Sequence, residues 1–440
     1  MPNPILPLWE YIPDGEPRVF GDRVYLYGSH DRPGSDSFCD QKLKVWSASL
    51  NDLNNWVCHG NSFCLVEDSE KSADIEGLEN CYLYAPDVVL KDGEYYLYMY
   101  VFFSKGIVAK SDKPEGPFKL ISTYKYDEED AGDDGVFNDP GVLVDDDGKV
   151  YIYYGFERSH FGEINPENMI EIKKGTLKHD MVGIREDEAK FFEASSLRKI
   201  GDTYYFIYSP RIGSRLAYAT SKKPEGPFEY RGYIVDNGVD YPAGNNHGSI
   251  CFINGQWYVF YHRMTNGSIM SRRACVEKIE ILPDGTIPTV EMTSLGFENS
   301  LNPYKITEAE IACVLKGGAI VTEHDPFTRV VTNIKKDCII GYKYFDFGDD
   351  NTQRSMTLSM KVLGTGCRSK IHVYIDSTAD ENEIGVVKVG PHDGVYGGKI
   401  KCVNGRHALY FKVEYDYKGY FSKDFDTRNL FDLCSFVVLK

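Results

Sequence analysis

VDDDGKVYIYYG, residues 144–155, is an acidic turn around Gly148 followed by a run in which aliphatic and aromatic side chains alternate. It is one of five such stretches. VFGDRVYLYG (19–28), LKDGEYYLYMY (90–100), RKIGDTYYFIYS (198–209) and FINGQWYVFYH (252–262) share its grammar, a glycine turn and then a strand of period two. The turn glycines Gly21, Gly93, Gly148, Gly201 and Gly255 stand 72, 55, 53 and 54 residues apart. A regular period of about 54, room for several short strands, is the signature of propeller blades. The octets SDKPEGPF (111–118) and SKKPEGPF (221–228) lie 110 residues apart, two periods, and so occupy the same place in two blades. An insertion at about 60–80, CLVEDSEKSADIEGLEN (64–80), accounts for the long first step.

Helical periodicity sustained over three turns is scarce, so an all-β chain is expected. Residues 1–300 read as a five-bladed β-propeller, in which 283–303 (PDGTIPTVEMTSLGFENSLNP) supply a closing strand and linker. Residues 301–440, with RSMTLSMKVLG, KIHVYIDS and HALYFKVEYD, read as a C-terminal β-sandwich. All four tryptophans, Trp9, Trp46, Trp56 and Trp257, fall in the first part. Only Tyr and Phe remain to build a binding platform in the second.

The net charge of −17 disfavours phosphate backbones and anionic membranes, so nucleic-acid and membrane partners are not expected. The 32 tyrosines favour strands and a neutral, sugar-like ligand. No basic segment leads into an apolar run at MPNPILPLWEY, so a cytoplasmic location is expected. Eleven cysteines without a C-x-x-C pair read as reduced thiols and carry no zinc spacing.

Six to nine residues ahead of each turn glycine stands a polar residue: Asp14, Asp87, Asp139, Glu193 and His247. In a propeller the innermost strands gather around the axis, so these five converge on one face. Singly, an Asp beside Pro or Gly forms a turn and a His satisfies a core. Four acids brought together repel one another, and such a cluster suits hydrolysis of a glycosidic bond. One carboxyl group protonates the leaving oxygen while another, ionised, activates water. Phe191 and Phe192 would help keep Glu193 protonated by excluding water.

NPILP (3–7), YIPDGEPRVF (11–20), YAPDVV (84–89), NDPGVLVDDDGKVY (138–151), FFEASS (191–196) and HGSICFINGQWYVFYHR (247–263) together resemble the ordered motif set of glycoside hydrolase family 43. The resemblance implies a five-bladed propeller and an inverting exo-glycosidase that releases α-L-arabinofuranosyl or β-D-xylosyl residues from plant-cell-wall oligosaccharides, without an organic cofactor. It implies Asp14 as general base, Glu193 as general acid and Asp139 as the residue that tunes the acid. Asp87, Tyr84, His30 and Arg263 would contact sugar, and His247 would hold a central calcium ion through water. Glu16 rivals Asp14, because many members read Asp-Pro where this chain has Asp14-Gly15-Glu16-Pro17; Tyr84 replaces the family's usual Trp. A galactofuranosidase or galactosidase of the same fold, or a non-catalytic glycan-binding propeller, are the alternatives. Fructan-cleaving relatives carry NDPG in the first blade, not the third. From Glu308 the chain resembles a family-6 carbohydrate-binding module, which implies a calcium ligated by Glu308 and Glu310; Cys434 stands where the last strand would carry an acid.

Overall fold

The computed structural model describes residues 1–65, 81–101, 106–131, 137–182, 187–417, 419 and 425–440. Most of the insertion expected at 60–80 lies outside the described residues. Five antiparallel sheets follow one another from Glu16 to Ile279. The first holds β1 (Glu16–Phe20), β2 (Arg23–Tyr27), β3 (Lys42–Ser49) and β4 (Asp52–Cys64); the second β5 (Leu83–Lys91), β6 (Glu94–Val101), β7 (Ile107–Ser111) and β8 (Lys119–Thr123). The third holds β9 (Gly141–Val144), β10 (Val150–Tyr154), β11 (His160–Ile164) and β12 (Lys178–His179); the fourth β13 (Phe191–Ile200), β14 (Thr203–Pro210), β15 (Arg215–Ser221) and β16 (Glu229–Asp236). The fifth has β17 (Ser249–Ile253), β18 (Gln256–Thr265) and β19 (Ser268–Ile279).

Each repeated stretch is the hairpin joining the first two strands of a blade, and its alternation feeds two different cores. Tyr151 and Tyr153 of β10 pack with Tyr204 and Phe206 of the fourth blade. Val150, Ile152 and Tyr154 pack with Tyr98 and Val108 of the second. Neither face is polar because a neighbouring blade covers each, and all five residues of β10 are buried. The two octets dock alike: Tyr27 Oη donates to the Pro114 carbonyl (2.5 Å) and Tyr153 Oη to that of Pro224 (2.7 Å), each from the preceding blade.

The ring closes with the start of the chain. The Ile5 amide donates to the Ala274 carbonyl (2.9 Å), and the Asn3 side chain accepts from the Val276 amide (2.9 Å) and donates to its carbonyl (2.8 Å). Asn3 and Ile5 thus run beside β19. The closing strand expected within 283–303 does not form. Pro283 and Pro288 interrupt pairing, and the segment instead ties β16 (Val290 amide to Ile234 carbonyl, 2.9 Å) to the C-terminal part (Leu301 amide to Tyr344 carbonyl, 2.8 Å).

From Thr307 on, eleven strands form one antiparallel sheet that curls into a sandwich-like barrel. Its core, with Tyr342, Phe345, Phe411 and Phe436, is continuous with Ile250, Val259 and Tyr261 of the fifth blade.

Candidate active site

The chain enters four of the five innermost strands through a left-handed residue: Asp14 (φ 56°), Ala85 (φ 40°), Asp139 (φ 48°) and Ala194 (φ 68°). Asp tolerates this region better than most residues, because its short side chain bonds locally. Gly141, two residues after Asp139, is needed for close approach of backbone to backbone, whereas Gly15, beside Asp14, faces only the tip of a leucine. A Cβ on Gly15 would lie 2.9 Å from Leu26 Cδ1, and one on Gly141 would lie 2.5 Å from the Ser195 carbonyl oxygen. The repeated kink turns the acids out of their strands toward one mouth of the axis. There a pocket of ≈ 360 Å³ is lined by Asp14, Asp139, Glu193, His247, Arg272, Asn138, Asn245, Tyr84, Tyr100, Phe38 and Phe156.

The three carboxyl groups differ in proton affinity. Burial pushes Asp14 up, but the Arg272 guanidinium, the nearby histidines and a Ser29 hydroxyl bond (2.6 Å) outweigh it, and the group ends below the usual range. Arg272 Nη1 donates to Asp14 Oδ1 at 2.8 Å, while its Nε and Nη2 grip Asp31, each at 2.9 Å. Glu193 is pushed up to about 7 by burial and by the Asp14 charge. Burial, Glu193 and Asp14 raise Asp139 well above its ordinary value, although the Ala194 amide donates to its Oδ2 (3.1 Å). Asp139 and Glu193 therefore hold protons more tightly than Asp14 does. His247 Nδ1 stands between Asp14 (3.8 Å) and Asp139 (3.7 Å).

Arg272, in SRRACV, Asp31, Phe38 and Asn245 carry no blade periodicity that would mark them in the sequence; Tyr100 ends a repeated stretch, where it reads as a core residue. Arg272→Met is expected to raise the Asp14 pKa, because the guanidinium is the largest of the charges that hold this buried carboxyl low. The acid limb of the kcat/KM profile would then move to higher pH, a shift that pH-rate measurement on both proteins would read.

Beneath the pocket the axis is filled by side chains. Arg18 makes a two-pronged bond to Asp87 (2.9 and 2.6 Å) and donates to the Val142 carbonyl (2.9 Å). Arg198 bonds Glu16 and the Pro17 carbonyl, and the Ser196 and Ser249 hydroxyls meet at 2.7 Å. Glu16 is thus an axial residue paired with arginines, outside the pocket lining. So is Asp87, expected to contact sugar: the kink of its blade falls at Ala85, two residues earlier, which leaves Asp87 one layer deeper.

A direct set of calcium ligands is not assembled on this axis: two guanidinium groups already neutralise its acids, and among the described residues no group of three or more His, Cys, Asp or Glu is placed to hold a metal ion. A calcium ion at 100 times its Kd would add about 2.7 kcal/mol of stability. Dialysis against EDTA is therefore expected to leave Tm and turnover unchanged; a fall in Tm restored by calcium would show the axis to be metallated.

Two further expected contacts lie elsewhere. His30 turns to Glu10 (3.1 Å) and Asp40 (3.5 Å), while its neighbour Asp31 faces the pocket arginine. Arg263 is buried on the far face of β18, donating to Tyr261 Oη (2.5 Å) and the Thr293 carbonyl (2.8 Å); adjacent His262 points to Asp14 instead (3.6 Å). Each misplacement is a one-residue error, and adjacent side chains face opposite ways. Glu310 pairs with Arg273 of the fifth blade (2.8 Å), and among the described residues no group of three or more His, Cys, Asp or Glu is placed to hold a metal ion, so the calcium site expected at Glu308 and Glu310 is not assembled. Cys434 is buried in the last strand.

A five-bladed propeller whose axial pocket joins a carboxylate held ionised to a carboxyl held protonated near neutrality is built for acid–base hydrolysis. Residues 1–287 match the glycosyl hydrolases family 43, and the chain belongs to that family. A xylosidase/arabinosidase of Thermoclostridium stercorarium is 37% identical, the match covering 93% of this chain and 95% of the relative. A family-43 β-xylosidase/α-arabinofuranosidase from a compost microbial metagenome, solved with xylotriose in a calcium-free form, is 27% identical with a TM-score of 0.55, over 66% of this chain and 98% of that one. The arabinoxylan arabinofuranohydrolase of Bacillus subtilis, solved with cellotetraose, shares the fold across 100% of this chain and 97% of its own, at TM-score 0.56 and 23% identity.

Proposed function

We propose that this glycoside hydrolase is an inverting exo-enzyme that removes β-D-xylosyl or α-L-arabinofuranosyl units from hemicellulose oligosaccharides. The opposed proton affinities of Asp14 and Glu193 across one pocket carry the reading. Asp14 takes a proton from water as the water attacks the anomeric carbon. Glu193 gives its proton to the glycosidic oxygen, and that bond breaks. Asp139 and His247 hold the acid's surroundings, and Tyr84 with Tyr100 (ring centroids 5.8 Å apart) walls the sugar. A pocket of ≈ 360 Å³ suits one ring, which favours release of terminal units. The names of the Thermoclostridium and metagenome relatives support the choice of sugar.

Hydrolysis of aryl β-D-xyloside, α-L-arabinofuranoside, β-D-galactofuranoside and β-D-galactoside tests it, with the first product anomer read by NMR. Turnover of the first or second with inverted configuration is expected. Turnover of a galactoside alone would overturn the sugar assignment, and retention would overturn the base role of Asp14.

A further inference from the structure

The general base stands on a stretch of chain that makes no ladder of its own. Residues 7–15, between Ile5 and β1, lie in no strand, so side chains must fix them. Glu10 is held by the first blade, its carboxylate accepting from Lys44 (3.0 Å) and from Trp46 Nε1 (3.0 Å). Tyr11, buried and three residues before Asp14, is held from the C-terminal sheet: its hydroxyl donates to Glu323 Oε1 at 2.7 Å. Glu323 belongs to the hairpin of strands Ile320–Asp325 and Thr328–Thr332. The same oxygen accepts from Arg329 (2.7 Å), and the Glu323 amide donates to Asn266 Oδ1 (3.1 Å) while the Asn266 amide donates to the Val321 carbonyl (2.7 Å). Asn266 lies in the turn joining β18 to β19, the strands that bring His262 and Arg272 to Asp14. One hairpin therefore touches both segments that surround the base. From Tyr11 the contacts run inward: its carbonyl accepts from the Asp31 amide (2.9 Å), Asp31 grips Arg272, and Arg272 donates to Asp14.

We infer that Glu323 is a positioning residue for the general base, through which the C-terminal sheet sets where Asp14 and its Arg272 partner stand. The inference rests on the glycosidase reading above and names what holds the base of that same site. An Arg–Glu pair at a surface hairpin needs no function of its own, and one in which the acid is 34% exposed contributes little to stability. Here the same carboxylate oxygen reaches across to a buried tyrosine of the propeller, and two donors hold it in place. Glu323 is outside the pocket lining, so it acts through Tyr11 and Asn266 and not on the sugar.

The test measures kcat and KM on whichever of the aryl β-D-xyloside and α-L-arabinofuranoside the wild type hydrolyses. A displacement of about 1 Å at a reacting group can cost about 100-fold, so losing one of several anchors in Glu323→Ala is expected to lower kcat about 10-fold. KM is expected to stay within about 2-fold, because no group that touches the sugar is removed. Tyr11→Phe takes away the same bond from its other end and keeps the ring; it is expected to reproduce the loss, and it carries the test should Glu323→Ala fail to fold. Glu323→Gln keeps an oxygen for both donors and is expected to restore most of the turnover. In an Asp14→Asn background, where no base is left to position, Glu323→Ala is expected to cost nothing further. Wild-type kcat in folded Glu323→Ala and Tyr11→Phe, a Glu323→Gln no better than Glu323→Ala, or losses that multiply in the Asp14→Asn background each overturn the positioning role and leave the glycosidase reading standing. Wild-type protein inactive on both glycosides overturns the glycosidase reading itself, and the positioning role with it.

Discussion

Asp14→Asn is expected to lower kcat by about 10²–10⁴-fold on every substrate, activated or not, because water then has no base to take its proton. Asn is the informative replacement. At φ 56° an Asn backbone is tolerated where Ala would add strain, and the amide oxygen can still accept the 2.8 Å Arg272 bond while its NH2 meets the Ser29 hydroxyl, which can accept as well as donate. The side chain loses its charge but keeps its shape. Equal loss on a glycosyl fluoride and on an oligosaccharide identifies the base, since attack by water is common to both. An Asp14→Asn protein that kept wild-type turnover would take the base role from Asp14. Glu16 would not inherit it: that carboxyl is buried on the axis with Arg198 and Arg18, outside the pocket lining.

The recurrence of one turn-and-strand pattern made the propeller legible, because each blade solves the same packing problem and its hairpin must be apolar on both faces. The acids were legible for the same reason, standing at related offsets from the turn glycines. What periodicity could not place were the partners supplied by other elements. Arg272 reaches Asp14 across 258 residues, and nothing near it in sequence announces the contact. Offsets also blur depth. Asp87 stands six residues from its glycine and Asp14 seven, yet they belong to different layers, because the left-handed kink shifts from one blade to the next. Phe191 and Phe192, read together as a shield for Glu193, divide: Phe191 packs into the core with Phe206 and Tyr208, while Phe192 stays at the rim with Phe156. The closing strand misled because composition marks a segment that cannot pair internally, not the partner that will take its place. Asn3 and Ile5, bonded to β19, took it.

Glu193→Gln separates the two halves of the reaction. An oligosaccharide leaves as an alkoxide unless it is protonated, so its kcat should fall by about 10²–10⁴-fold, whereas a glycosyl fluoride, which leaves without a proton, should retain most of its turnover. The pH profile carries the same signature. The protonated form of Glu193 is the active one and its pKa is pushed up to about 7, so wild-type kcat/KM on xylobiose should fall as pH rises through about 7. Asp14 must be ionised and sits below the usual range, so the acid limb should appear only well into acid. Because Asp139 is raised by the same neighbours, the alkaline limb belongs to the Asp139 and Glu193 pair as a unit. In Glu193→Gln that pair no longer exists: Asp139 loses a charged neighbour and its pKa drops. Residual turnover of the fluoride should then show no fall near pH 7. An alkaline limb that persisted unchanged in Glu193→Gln would assign it to another group and remove Glu193 from the acid role.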